Sequence, residues 1–307
     1  EIALVTGPAW GGLPGSAAGG VTVMIRHAGL PPEQRLFTPQ WWEDNYFQPM
    51  DAYFARGNTR FTRPSPSRET AEITRFSEHL IHGGFAYAYA VSAADFTGDG
   101  SLDLVAVDTN VGLYLFENDG KGHFARHVIR RRVGEWLERH AIADINGDGK
   151  PEIVSVDNTN GCLLYFVCDG DPRASASWTH HYITEGELPG AYDLSVADLT
   201  GNGDLDVAAS SWRIGSQFAW FENCNGSWVK HMIEADIGET RTIHAVDIDG
   251  DGRPDLLGTS VTGNAVMWYR HPGDPTREPW AQHVIDRSPG PMPRHPAALD
   301  GDVDVVV

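Results

Sequence analysis

Asp247-Ile248-Asp249-Gly250-Asp251-Gly252-Arg253-Pro254-Asp255 is the stretch that decides the fold. Oxygen-bearing side chains at its first, third, fifth and ninth positions, and glycine at the sixth, describe a tight acidic turn. Glycine allows the sharp bend there because it has no Cβ to clash at positive φ. The pattern recurs three times upstream, starting at Asp95, Asp144 and Asp198. Four copies in one chain make this the sequence of a repeat protein.

Two further markers recur in fixed order around the loop. One is a segment ending in the pattern aromatic-x-x-His-x-Ile: Phe76 and His79, Phe124 and His127, Trp178 and His181, Trp228 and His231, Trp280 and His283. Successive histidines are 48, 54, 50 and 52 residues apart. The other is an alternating apolar strand, as in Leu113–Asn118, Phe218–Asn223 and Val266–Arg270. Each unit therefore reads as four short strands, A to D, exemplified by Ile243–Val246, Leu256–Ser260, Val266–Arg270 and Trp280–Ile285. The acidic loop joins A to B. No helical periodicity interrupts them, so the expected fold is all-β, a β-propeller of four-stranded blades forming one domain over residues 1–307.

At about fifty residues per unit the chain holds six blades, with seven as the alternative. Ile2–Thr6 reads as a B strand, Val21–Arg26 as a C strand and the region near Leu36 as a weak D strand. The stretch Asp300-Gly301-Asp302-Val303-Asp304 looks like a shortened acidic loop, so both termini are expected to close one blade and remove free sheet edges. Residues 39–75, rich in Trp, Arg and Pro, fit as a degenerate blade or an insertion. Residues 76–304 carry the clear repeats.

The loops suit Ca²⁺, a hard cation that takes six to eight oxygens from a flexible segment. The expected ligands are Asp95, Thr97, Asp99, Ser101 and Asp103; Asp144, Asn146, Asp148, Lys150 and Glu152; Asp198, Thr200, Asn202, Asp204 and Asp206; and Asp247, Asp249, Asp251, Arg253 and Asp255. The seventh residue of each set contributes its backbone carbonyl. An EF-hand would need glutamate at position 12 between two helices. Ala106, Ser155, Ala209 and Gly258 stand there instead, flanked by strands. Clustered carboxylates repel one another without a counter-ion, which favours about four structural Ca²⁺ ions over bare turns.

An Asp-x-Asp-x-Asp-Gly-x-x-Asp loop within a fifty-residue, four-strand unit resembles the FG-GAP/VCBS repeats of integrin-α-like propellers. The resemblance implies a calcium-binding propeller in an extracellular, secreted, cell-surface or periplasmic setting. The Phe-Gly-x-Gly-Ala-Pro signature that names the family is missing here, and residues 1–75 match loosely. Lectins and carbohydrate-active lyases and dehydratases share the repeat, so it does not fix an activity.

Net charge of −19 argues against nucleic acid and anionic membrane as partners. No apolar run approaches the roughly 18 residues a spanning helix needs. The first residues lack the basic region and cleavage site of a signal peptide, as a processed chain also would. Cys162, Cys168 and Cys224 make no disulfide framework. Nucleophile elbows, zinc-protease motifs, phosphate loops and dinucleotide fingerprints are missing.

Alternation of turns in a four-stranded blade puts the acidic loops on one face and the D–A and B–C connections on the other. The segment Arg130-Arg131-Arg132-Val133-Gly134-Glu135-Trp136-Leu137-Glu138-Arg139-His140 gathers arginines in an otherwise acidic chain. His140, His244, His295, Arg241 and Tyr192 are the candidate catalytic residues. Arg131, Trp136, Arg139, Trp212, Arg213 and Arg294 are the candidate ligand-binding residues. Convergent Arg, His and Tyr suit an acidic sugar, or proton abstraction beside a carboxylate. Three histidines would alternatively suit a transition metal. The once-per-blade histidines and tryptophans read as architectural. Three functions follow: a module binding a glycan or protein surface, a polysaccharide lyase or sugar dehydratase, or an assembly or adhesion component.

Overall fold

The computed structural model describes residues 2–6, 19–27, 75–263 and 265–287. The strands are β1 Ile2–Thr6, β2 Gly19–His27, β3 Arg75–Phe85, β4 Ala88–Ala94, β5 Asp103–Asp108, β6 Gly112–Asn118, β7 Phe124–Arg131, β8 Leu137–Ala143, β9 Glu152–Asp157 and β10 Cys162–Cys168. They continue with β11 Trp178–Thr184, β12 Ala191–Ala197, β13 Asp206–Ser211, β14 Gln217–Cys224, β15 Ser227–Glu234, β16 Thr240–Val246, β17 Asp255–Ser260, β18 Ala265–Arg270 and β19 Ala281–Asp286. Four antiparallel sheets, β4–β7, β8–β11, β12–β15 and β16–β19, each hold four strands in simple meander order A-B-C-D.

A further sheet has the order β1-β2-β3, which changes the expected partner of β2. The strand that follows β2 in its sheet is Arg75–Phe85, paired with it from Gly19↔Phe85 to His27↔Arg75. The N-terminal B and C strands thus share a sheet with the first histidine-bearing D strand, where the sequence had read two separate blades. The weak D strand read near Leu36 lies outside the described residues. Five sheets, four of them complete, are present among the described residues, against the six blades expected.

Every residue of the B strands β5, β9, β13 and β17 is buried. An antiparallel sheet with one wet face would alternate; none of these four strands does. One core packs Val154, Val156 and Leu163 against Val207, Ala219 and Phe221 of the next sheet. Another packs Phe218 and Trp220 against Leu256, Met267 and Tyr269. The approach is close enough to require glycine at 258, where a Cβ would stand 2.6 Å from Phe218 Cζ. The D strand β19, in contrast, is exposed throughout.

The repeated histidines are architectural. His127 and His231 meet Glu117 and Glu222 of the adjoining C strands at 2.9 and 2.8 Å. His231 stacks on Trp220 at 4.3 Å, and His283 lies over Trp268 at 4.7 Å. Trp178 and Trp280 are buried. The three cysteines are free thiols.

Candidate functional site

The acidic loops are pre-shaped by their own hydrogen bonds. Asp247 Oδ1 accepts from the Gly250 and Asp251 amides at 2.8 and 3.1 Å, and its Oδ2 accepts from Gly252 at 2.8 Å. Gly250 and Gly252 sit at φ +73° and +84°, where L side chains are strained. Asp95, Asp144 and Asp198 hold the other loops in the same way. The fifth position accepts from the amide of the seventh in every copy: Ser101 to Asp99, Lys150 to Asp148, Asp204 to Asn202 and Arg253 to Asp251.

The ninth residue has a role that the sequence did not reveal. Asp103, Asp206 and Asp255 are wholly shut off from solvent, and Glu152 nearly so. Asp206 accepts from Leu199 and Thr200 within its loop at 2.9 and 3.2 Å, and from Asn223 at the end of β14 at 2.8 Å. Asp255 likewise joins Ile248 to His271, and Asp103 joins Phe96 and Thr97 to Asn118. Each aspartate at this position clamps the A–B loop onto the C strand. Burial pushes Asp206 up to about 6. Burial, reinforced by Asp148 and Asp144, pushes Glu152 up to about 7.

Two loops bring at least three acidic side chains together, with ligand atoms all within 4.8 Å of one another: Asp144, Asp148 and Glu152, and Asp247, Asp249 and Asp255. All the donors are hard oxygens, the set an alkaline-earth cation prefers. In the last loop Asp249 also pairs with Arg270 at 2.6 Å and Asp251 with Arg253 at 2.5 Å. The loop carrying Thr200 and Asn202 offers fewer charged ligands, Asp198 and Asp206.

A second cluster forms at the opposite end of the A strands. Every A strand carries a two-for-one bulge against its B strand, between Ala88 and Val91, Leu137 and His140, Ala191 and Leu194, and Thr240 and Ile243. A bulge bends the strand and re-aims the side chain that has no partner. The first bulged residues are Tyr89, Glu138, Tyr192 and Arg241, one per sheet at a common register.

These residues meet. Tyr89 and Tyr192 hydroxyls are 2.7 Å apart, Arg241 Nη1 donates to Tyr192 Oη at 2.8 Å, and Arg139 Nη2 donates to the same oxygen at 3.4 Å. Arg139 also pairs with Asp193 at 3.5 Å. Rings flank the cations: Arg241 lies 4.4 Å from the Trp212 centroid and 4.9 Å from that of Tyr192. Arg213 covers Trp212 at 3.9 Å and pairs with Glu239. Tyr87 stacks with Tyr89 and approaches Trp136, whose Nε1 donates to Glu138 Oε1 at 2.8 Å. Burial pushes Glu138 up to about 7 against the pull of that bond, Arg139 and Arg241.

The sequence candidates divide accordingly. Tyr192, Arg241, Arg139, Trp136, Trp212 and Arg213 come together. The histidines do not. His140 occupies the register of Val91, Leu194 and Ile243, which in β16 is buried core, and its ring nitrogens are shut off from solvent. Burial lowers it to about 4. His244, one register further on, is exposed. Among the described residues no histidine joins a metal-ligand group, so the three-histidine metal reading has no support there. His295 and Arg294 lie outside the described residues. Arg131 is exposed at the end of β7, while Arg132 stacks over Trp136 at 4.9 Å. Tyr89, Glu138 and Arg132 were not singled out in the sequence; the bulge register would have found the first two.

The four-stranded sheets and their recurring acidic A–B loops define an all-β repeat protein. A family model described as FG-GAP-like repeat matches residues 95–155, 144–209, 198–258 and 247–307. Each match starts on the first aspartate of an acidic loop, and the chain belongs to this family. None of the curated proteins matches it in sequence. Among solved structures, similarity is found to the V. cholerae biofilm matrix protein Bap1 (20% identity, 64% of this chain and 28% of that one, TM-score 0.39). A putative 6-phosphogluconolactonase from Bacteroides uniformis gives 15% identity, 65% and 54% coverage and a TM-score of 0.43. A catalytically inactive virginiamycin B lyase from Staphylococcus aureus, with quinupristin, gives 14%, 71% and 61%, and 0.44. The chain spans less than two thirds of each of these structures. Among the described residues no helix is long and apolar enough to cross a membrane.

Proposed function

We propose that the chain is an extracellular, Ca²⁺-stabilised β-propeller that acts as a binding module, taking a glycan or a protein surface at the arginine–aromatic cluster opposite the acidic loops. The observation that carries this reading is the common bulge register, which sends Tyr89, Glu138, Tyr192 and Arg241 from four sheets to one place. Tyr, Trp and Arg are the side chains that most often anchor ligands, because they combine large rigid area with polar tips. Half-exposed Tyr87, Trp136 and Trp212 supply ring faces at the rim.

Calcium fits the loops of Asp144, Asp148 and Glu152 and of Asp247, Asp249 and Asp255, through the hard-oxygen donor sets already described. The ion would offset the burial, and the repulsion from Asp148 and Asp144, that raise Glu152. The loop of Asp198, Thr200, Asn202 and Asp206 is assigned the weaker site.

A second reading, an eliminating enzyme such as a polysaccharide lyase or sugar dehydratase, is favoured by one observation: Tyr192 Oη sits between two guanidinium donors. Arg241 would hold a substrate carboxylate while the tyrosine moves the neighbouring proton. A glycan array and partner capture with the wild type and Trp212→Ala separate the cases. Saturable binding lost in Trp212→Ala supports the module. Release of unsaturated sugar from a polysaccharide panel, lost in Tyr192→Phe, supports the enzyme. No binding and no turnover overturn both.

A further inference from the structure

Resting on the binding reading, we infer that the cluster is a receptor for an acidic sugar, with Arg241 taking the sugar carboxylate and the rim aromatics holding its ring. The charge arrangement points to this class. The chain carries 23 Lys and Arg against 42 Asp and Glu. A buried or half-buried arginine in such a chain finds a carboxylate easily, and the neighbours do: Arg139 pairs with Asp193, Arg213 with Glu239 and Arg130 with Glu135. Arg241 does not. Among the described residues it makes no ion pair, its Nη1 goes to a neutral phenol, and its Nε is buried without a hydrogen bond. A guanidinium offers five donors in a planar fork matched to a carboxylate. Leaving one uncompensated and partly desolvated is costly, and an arriving anion removes that cost.

Glu138, the nearest acid on β8, does not fill the role. It lies beyond ion-pair distance of Arg241, and its Oε2 is buried and unbonded. Burial keeps it protonated up to about 7, so below that pH it presents no charge against an incoming carboxylate. The ring surface beside Arg241 argues for a sugar over a bare anion. Trp212 lies directly against the guanidinium, on a turn where Arg213 and Ser216 adopt φ of 51° and 45°. Strained non-glycine backbone of this kind persists where surrounding structure holds a side chain in a required place.

The test measures calorimetric affinity for trisaccharides of galacturonate, glucuronate and mannuronate, and for their methyl esters, which keep the ring and remove the charge. The expected result is at least tenfold tighter binding of one acid form than of its ester, with the preference abolished in Arg241→Gln and partly kept in Arg241→Lys. A thermal melt of Arg241→Gln confirms that it folds. Equal affinity for acid and ester, or a preference unchanged in Arg241→Gln, overturns the inference. If both forms bind equally and Trp212→Ala weakens both, the binding reading stands and only the acid specificity falls. If no acid sugar binds while a neutral glycan or a protein does, the inference is likewise overturned; if nothing binds, the binding reading falls with it.

Discussion

The hydroxyls of Tyr89 and Tyr192 lie 2.7 Å apart although their strands, β4 and β12, belong to sheets with a whole sheet between them. That contact requires the A strands to converge at this end, so the bulged residues close over the inner strands. Tyr192 is the hub: its oxygen also takes hydrogen bonds from Arg241 and Arg139. Tyr192→Phe would leave Arg241 Nη1, which makes no ion pair among the described residues, without its acceptor, whereas Tyr89→Phe removes a neutral hydroxyl and leaves the arginines their partners. Unfolding in urea should show Tyr192→Phe destabilised by about 2–3 kcal/mol and Tyr89→Phe by about 1 kcal/mol, since donors left unbonded cost more than a bond simply removed. Equal effects would show that the hub is not one.

The two kinds of aspartate in the last loop should separate by experiment. Asp255 clamps Ile248 to His271 from full burial, while Asp249 contacts an exposed-side arginine. Asp255→Ala should lower stability by about 2–4 kcal/mol with chelator present, because buried amides lose their acceptor. Asp249→Asn should leave the chelated protein unchanged and shrink the rise in Tm that Ca²⁺ produces. That rise follows RT ln(1 + [L]/Kd), about 2.7 kcal/mol at a hundredfold excess. A Tm indifferent to both EDTA and calcium would remove the structural-ion reading.

Inter-sheet packing gives a third test. A Cβ at position 258 would stand 2.6 and 2.7 Å from Phe218 ring atoms. Gly258→Ala should cost about 1–3 kcal/mol, the usual range for overpacking. Phe218→Leu in the same chain should recover part of it, giving a non-additive double-mutant cycle.

The parts of this molecule that repeat were legible in the sequence, and the parts that occur once were not. The loops from Asp95, Asp144, Asp198 and Asp247 fixed strand order and placed the A–B turns, because glycine and aspartate at fixed offsets have local physical causes. The partner of β2 was missed because its pairing with β3 is non-local, across residues 28–74, and no local pattern encodes it. The separation of the two described histidines has a different cause. His140 and His244 are adjacent in register, and successive strand residues face opposite ways. The bulge that brings Tyr192 and Arg241 together shifts the side-chain period by one residue, and periodicity alone does not reveal a bulge. Glu138 was hidden among the arginines around it.

Glu138 yields the last prediction. Its folded-state pKa, raised by burial to about 7, stands above the 4.5 of a free glutamate. The unfolded chain therefore loses this proton near 4.5 while the folded chain keeps it. Below about 4.5 both forms are protonated and the residue is neutral to stability. As pH rises from about 4.5 to about 7 the folded state is progressively penalised, by up to about 3 kcal/mol once above 7. Glu138→Gln keeps the acceptor for Trp136 Nε1 and cannot ionise, so it should match the wild type near pH 5 and exceed it near pH 8. Other groups titrate in this range, so the measurement is the difference in unfolding free energy between the two proteins across pH 5–8. A difference that grows with pH confirms a carboxyl held neutral at the centre of the cluster. A flat difference would mean that Glu138 is already ionised there and pairs with Arg241 in solution, which would also weaken the case for an external carboxylate.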